Sequence, residues 1–322
     1  MTRQGGLRTL GVSFATAALA GLLVASCGQA VSPPTRRTLR LTTGTPGAWF
    51  HPLGRALADA YMAAFPDLDI QVLESQGSVA NVDALQRGAA DVGLAYADVA
   101  YMAYVGRLGD RPQAFTELRG LAVLAIAPVH LVVGAHSAIT SASDLRGKRV
   151  AVGPAGSGSA LTAQIVLRAL GIEASAVQVE SLQFNDAAAR LTAGTIDAFF
   201  VTGINPIDAV RTATAAGARL LPLSGPPIDT LRREYPFFRR ALVPGGTYPG
   251  HPESVHTIGV NNLLVCRRGL DEPTAHGLTR AYFAALPQLS MPTHMDLEQA
   301  PATPIPLHEG AARYYREREL VR

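Results

Sequence analysis

The strongest constraint on this chain is a short pattern that occurs twice. Leu85-Gln86-Arg87-Gly88-Ala89-Ala90-Asp91 precedes one apolar run, Val92 to Ala95. Leu191-Thr192-Ala193-Gly194-Thr195-Ile196-Asp197 precedes another, Ala198 to Val201, with leucine, glycine and aspartate at the same spacing. Each piece has a local physical meaning. Glycine takes the left-handed backbone that ends a helix, and an unbroken apolar run reads as a parallel strand covered on both faces. Upstream of each pattern stands another strand candidate closed by a G-x-x-G turn, Gly44–Gly47 and Gly153–Gly156. Short apolar runs alternate with helical patterns along the chain, which predicts an α/β architecture made of two related lobes.

The first lobe is predicted from a strand at Leu39–Leu41, a helix from Leu53 to Ala64, a strand at Ile70–Leu73, a helix N-capped by Ser78, and strands at Val92–Ala95 and Leu121–Ala127. His130–Gly134 would carry the chain into the second lobe, and Thr257–Cys266 would return it. Two such strands make a hinge, and ligand pockets favour the cleft beside one. The expected boundaries are 39–129 plus 262–322 for one lobe and 130–261 for the other. A tail helix is expected near Thr274–Leu286 and another near Glu309–Glu319, with Tyr314 and Tyr315 packed on the first lobe.

In the second lobe, Val150 and Val152 lead into Gly153-Pro154-Ala155-Gly156-Ser157-Gly158-Ser159 and then a helix with Leu161, Ile165, Leu167 and Leu170 apolar. The first N–H groups of that helix have no intrahelical partner, and the helix dipole adds partial positive charge there. Strand, glycine loop and helix in this order can cradle an anionic group. An ordinary turn whose serine caps its own helix has the same pattern.

The amino terminus gives an address. Arg3 and Arg8 precede an uncharged span of sixteen residues, Leu10 to Ala25, too short for the roughly 20 residues of a membrane helix. A basic flank, an apolar core and Val24-Ala25-Ser26-Cys27 make a bacterial lipoprotein signal: residues 1–26 are removed and Cys27 is lipidated. Residues 27–38 would then link lipid to folded body. With Cys27 lipidated, Cys266 has no disulfide partner and reads as a small buried hydrophobe. The formal net charge is only +3, part of it in the leader, and no basic cluster exists, so nucleic acid is excluded as a partner.

Eight segments then carry a family resemblance: TGTPGAWFHPLG (43–54), SQGSVANV (75–82), GAADVGLAYADVAY (88–101), VHLVV (129–133), DLRGKRVAVGPAGSGS (144–159), IDAFFVTGINP (196–206), GGTYPG (245–250) and PIPLHEGAARYYRE (304–317). Together and in order, they make the chain resemble the TAXI-type solute receptors, the extracytoplasmic binding subunits of tripartite ATP-independent periplasmic (TRAP) transporters. The resemblance implies an α/β fold of the type II periplasmic-binding-protein kind, with two lobes joined by hinge strands around a ligand cleft. It also implies a lipid-anchored monomer outside the cytoplasm, an amino-acid or carboxylate ligand, permease subunits as partners, and no cofactor or metal. Where the family usually carries G-x-Y-Y-P, this chain has Trp49-Phe50-His51-Pro52, which suggests a less polar or larger ligand.

Carried over onto this sequence, the resemblance places Thr45, Gly47, Phe50, Ser78, Asn81 and Tyr96 in the cleft from the first lobe. From the second it places Gly156, Ser157, Gly158, Ser159, Gly203 and Asn205. Local alternatives stand beside several. Asn81 can face solvent, Asp98 reads as the cap of a helix starting at Val99, and His130 reads as a core histidine. Tyr248 sits in a Gly/Pro-rich turn. A serine hydrolase would use Ser157 with His130 as base, but no orienting carboxylate and no G-x-S-x-G motif accompany them. A tethered sensor for a membrane kinase is the further alternative.

Overall fold

The computed structural model describes residues 36–45, 48–109, 112–289 and 296–321. Cys27, Gly47 and the signal segment lie outside the described residues. The chain runs β1 (Arg37–Thr42), α1 (Phe50–Ala64), β2 (Leu68–Leu73), α2 (Ser78–Gln86), β3 (Val92–Tyr96), α3 (Ala97–Tyr104) and the long β4 (Leu118–Val133). It continues with β5 (Arg149–Ala151), α4 (Gly158–Ala169), β6 (Gln178–Glu180), α5 (Phe184–Thr192), β7 (Ala198–Thr202) and α6 (Asp208–Ala215). Next come β8 (Arg219–Leu221), α7 (Pro226–Glu234), β9 (Phe238–Val243), β10 (Val255–Arg267), α8 (Glu272–Ala285) and α9 (Glu309–Arg316).

The strand order is β2-β1-β3-β10-β4-β7-β5-β6, with β8 also on β4 and β9 on β10. Parallel β2, β1 and β3 build one lobe, and parallel β6, β5 and β7 build the other. The sequence separates Leu121–Ala127 from His130–Gly134, but they are one strand. Residues 118–128 of β4 pair with β10, and 129–133 turn to pair with β7 and β8. The strand therefore belongs to both lobes. Val129 and Thr257 also meet where β4 and β10 run together, the Thr257 hydroxyl donating to the Val129 carbonyl at 2.6 Å. The fold is a mixed α/β one of the type II periplasmic-binding-protein kind.

The repeated leucine–glycine–aspartate pattern resolves into two matching clamps. Gly88 and Gly194 end their helices at φ +67° and +70°, where a side chain would be strained. Asp91 then accepts from the Arg40 backbone N–H at 2.9 Å and from its guanidinium at 3.0 Å, while Arg40 also donates to the Gly88 carbonyl. Asp197 does the same with Arg149, whose guanidinium also donates to the Gly194 carbonyl. In each lobe a planar guanidinium ties the first strand to the entry of the third. Asp91 carries an extra partner, Arg267 at 2.8 Å. Burial pushes its carboxyl up, but the hydrogen bonds from Arg40 and Arg267 outweigh that and hold it below the ordinary range.

The tail closes the first lobe. Cys266 is fully buried on β10. The Tyr315 hydroxyl donates to the Leu121 carbonyl, and Tyr314 stacks on Phe283. Among the described residues no helix is long and apolar enough to cross a membrane.

The two clamps differ in depth: the Asp91 side chain is 6% exposed and that of Asp197 29%. Removing Asp91 strands two arginines beside a buried site. Asp91→Ala is expected to cost roughly 2–3 kcal/mol and Asp197→Ala about 1 kcal/mol, measured by urea unfolding at pH 7. Equal losses at the two positions would show that burial does not set their weight.

Candidate functional site

Parallel strands followed by helices put strand carboxyl ends and helix amino ends on the same side of each lobe, which is where open α/β sheets bind ligands. Here the two lobes turn those sides toward each other. Between them lies a cavity of about 380 Å³, within the usual range for a small-molecule site. Five helix starts border it: those of α1 through Phe50 and His51, α2 through Ser78, α4 through Gly158, α5 through Phe184, and α6 through Asp208.

The lobes touch beside the cavity. The Tyr96 hydroxyl at the end of β3 donates to the Thr202 carbonyl at the end of β7, 2.7 Å away. Gly158 makes this approach possible. A Cβ there would run into the Tyr96 ring and lie 2.7 Å from the Ser78 hydroxyl oxygen. One turn further out, the Thr162 hydroxyl of α4 donates to the Asp98 carboxylate of α3 at 2.6 Å, both side chains fully buried. Asp98 is therefore not the helix cap its sequence position predicts. Tyr96 holds the cap position, and Asp98 is the second residue of α3. Burial pushes its carboxyl up to about 6, although hydrogen bonds from Thr162 and the Val99 N–H oppose that.

Most polar side chains at the site are already engaged. Ser157 caps α4 by accepting from the Ala160 N–H at 3.2 Å, and Ser159 accepts from the Thr202 N–H at 3.1 Å. Ser78 is the first residue of α2 rather than its cap, Gly77 taking that place, and its hydroxyl accepts from the Tyr96 N–H. Among the described residues of the lining, two buried side-chain atoms have no partner: the Thr202 hydroxyl oxygen, on a residue 4% exposed, and His51 Nδ1.

Of the twelve residues expected in the cleft, Thr45, Phe50, Ser78, Tyr96, Ser157, Gly158, Ser159 and Gly203 are brought together at the cavity. Gly47 lies outside the described residues. Gly156 is in the loop before Ser157 but not on the lining. Asn81 sits behind the site, fully buried. Its amide donates to the Thr43 and Leu94 carbonyls, and its oxygen accepts from the Thr42 and Ser75 hydroxyls. Asn205 is also off the lining, accepting from His130 Nε2 at 2.8 Å. Tyr248, in turn, accepts from the Ile207 N–H. These three side chains brace the 203–208 loop. His130 is buried, and its ring is pushed down to about 4 by that burial.

Sequence reasoning missed Gln76, Phe184, Thr202, Ile204 and Ile207, which all reach the cavity. Thr202 lies one residue past the predicted end of its strand, so a longer strand would have found it. Phe184 opens α5, and no pattern within its own segment points toward the cleft.

The sequence model of the NMT1-like family matches residues 41–318. A solved structure from Bordetella bronchiseptica RB50 aligns at TM-score 0.52 and 17% identity, covering 79% of this chain and 72% of that one. The periplasmic binding protein BugD aligns at TM-score 0.50 and 12% identity, covering 77% and 82%. The alkanesulfonate-binding protein SsuA from Xanthomonas axonopodis pv. citri, bound to MOPS, aligns at TM-score 0.49 and 19% identity, covering 80% and 76%. At these identities the likeness is one of fold.

Because Asp98 is raised by burial, its protonated form favours the closed, folded arrangement. That contribution is complete below the ordinary carboxylate range and is lost as pH rises through about 6. His130, depressed by burial, titrates over the same interval with the opposite sign. The comparison must therefore be with Asp98→Asn, whose amide can donate to the Thr162 hydroxyl. Wild type is expected to gain about 2 kcal/mol relative to that variant between pH 7.5 and pH 4.5, by urea unfolding. A difference that does not change with pH would refute the assignment.

Proposed function

This chain belongs to the NMT1-like family, and we propose that it is an extracytoplasmic solute-binding lipoprotein. It captures a small amino acid or carboxylate and hands it to the permease subunits of a TRAP-type secondary transporter. The observation that carries this reading is the cavity enclosed by two lobes that share β4 and β10. A hinge of two strands lets the lobes part to admit a solute and shut to desolvate it. Lipid on Cys27 would hold the receptor at the membrane as a monomer, near its permease, without a spanning helix.

The hydrolase alternative finds no support in the side-chain arrangement. Ser157 spends its oxygen on the Ala160 N–H, and His130 Nε2 is bonded to Asn205. The loops at the cavity hold a guest through N–H groups, hydroxyls and apolar walls, with hydrogen bonds to charge contributing about 1.5–3 kcal/mol each. A micromolar affinity needs roughly 8 kcal/mol.

Trp49 is the chain's single tryptophan and lines the cavity, so its fluorescence reports occupancy. Screening amino acids and carboxylates against the protein should yield a ligand that changes this emission saturably and contracts the molecule in solution scattering. Gly158→Ala should weaken that ligand at least tenfold, because its Cβ keeps the lobes apart. Turnover of ester substrates without saturable binding would reject the receptor reading.

A further inference from the structure

We infer that the solute is a monoanion with an apolar body about the size of an aromatic ring, rather than an amino acid or a dicarboxylate. This rests on the solute-receptor reading and narrows it. Among the described residues lining the cavity there is no arginine and no lysine. Positive potential there comes from backbone: the N-terminal ends of α1, α2, α4, α5 and α6 all reach the lining. Aligned peptide dipoles supply partial charge, enough to favour one anionic head. A second carboxylate carried into the same enclosure would meet no arginine or lysine, only the His51 imidazole, and burying a poorly paired charge is strongly unfavourable.

The unpartnered Thr202 hydroxyl independently marks where the head sits. Thr202 is 4% exposed and borders the cavity, and its hydroxyl oxygen, buried just behind that surface, bonds to nothing in the protein. Thr202 follows directly on Val201 at the carboxyl end of β7, and Ser159 of α4 bonds to its backbone. The Thr202 backbone therefore lies beside the start of α4, the longest helix the second lobe turns to the cavity. Much of the remaining wall is apolar: Trp49, Phe50, Phe184, Ile204 and Ile207, together with a Tyr96 ring whose hydroxyl is spent on the Thr202 carbonyl. Such walls suit a ring or a branched chain.

An amino acid needs a partner for its ammonium. Among the described residues the one carboxylate on the lining is Asp208, whose side chain is 75% exposed and paired with Arg211 at 2.6 Å. Held at the rim and already neutralised, it offers little to a buried ammonium.

The test is isothermal calorimetry on the full chain with five probes: phenylacetate, 4-methyl-2-oxopentanoate, phenylacetamide, phenylalanine and glutarate. Phenylacetate or 4-methyl-2-oxopentanoate should bind at least tenfold tighter than the other three. Thr202→Val, checked for unchanged circular dichroism, should weaken the preferred acid about tenfold. Tighter binding of phenylalanine or glutarate would overturn the inference and leave the receptor reading standing. Equal binding of phenylacetamide would overturn the anionic head. No binding by these probes or by a broad metabolite panel would overturn both.

Discussion

Everything at the cavity depends on how near two backbones come at Gly158. Because that residue has no side chain, the start of α4 lies against the Tyr96 ring and the Ser78 hydroxyl. The Tyr96 hydroxyl can then reach across to the Thr202 carbonyl. Any larger residue would hold the lobes apart and open the cavity to water. Enclosure matters energetically, since hydrogen bonds and partial charges act more strongly once water is excluded.

The closed arrangement carries a cost that the hydrogen bonds only partly offset. Asp98 sits in the lobe interface with no cation beside it, answered by the Thr162 hydroxyl and the Val99 N–H. Its raised pKa is the measure of that cost. The clamps at Asp91 and Asp197 are the opposite case: carboxylates given full guanidinium partners, which tie strand to strand within each lobe. Within a lobe, charge is paired and the geometry fixed. Between lobes, the Thr162–Asp98 contact buries a carboxylate against a hydroxyl and an N–H instead of a guanidinium.

The cavity draws its polarity from main chain and hydroxyls rather than from charged side chains. Five helices begin there because both lobes are built of parallel strands followed by helices, so the topology itself delivers the donors. Side chains then set the shape of what fits. His130, Asn205 and Tyr248 do their part from behind, holding the 203–208 loop in place through Asn205 and the Ile207 N–H.

The sequence by itself determined the element types, the two-lobed α/β plan and the glycine-led loops, because these follow from local periodicity and from conformations that only glycine takes without strain. Leu85–Asp91 and Leu191–Asp197 announced matching units, yet not that Arg40 and Arg149 complete them, since those partners lie about half a lobe away in the chain. Asn81 looked like a solvent-facing or ligand-facing residue of α2 and is instead wrapped in backbone carbonyls and hydroxyls. Asp98 looked like a cap, and Phe184 like nothing in particular. Only the tertiary structure decided these, because each depends on which helix start meets which strand end across the hinge. That meeting is a long-range contact, and no local pattern encodes it.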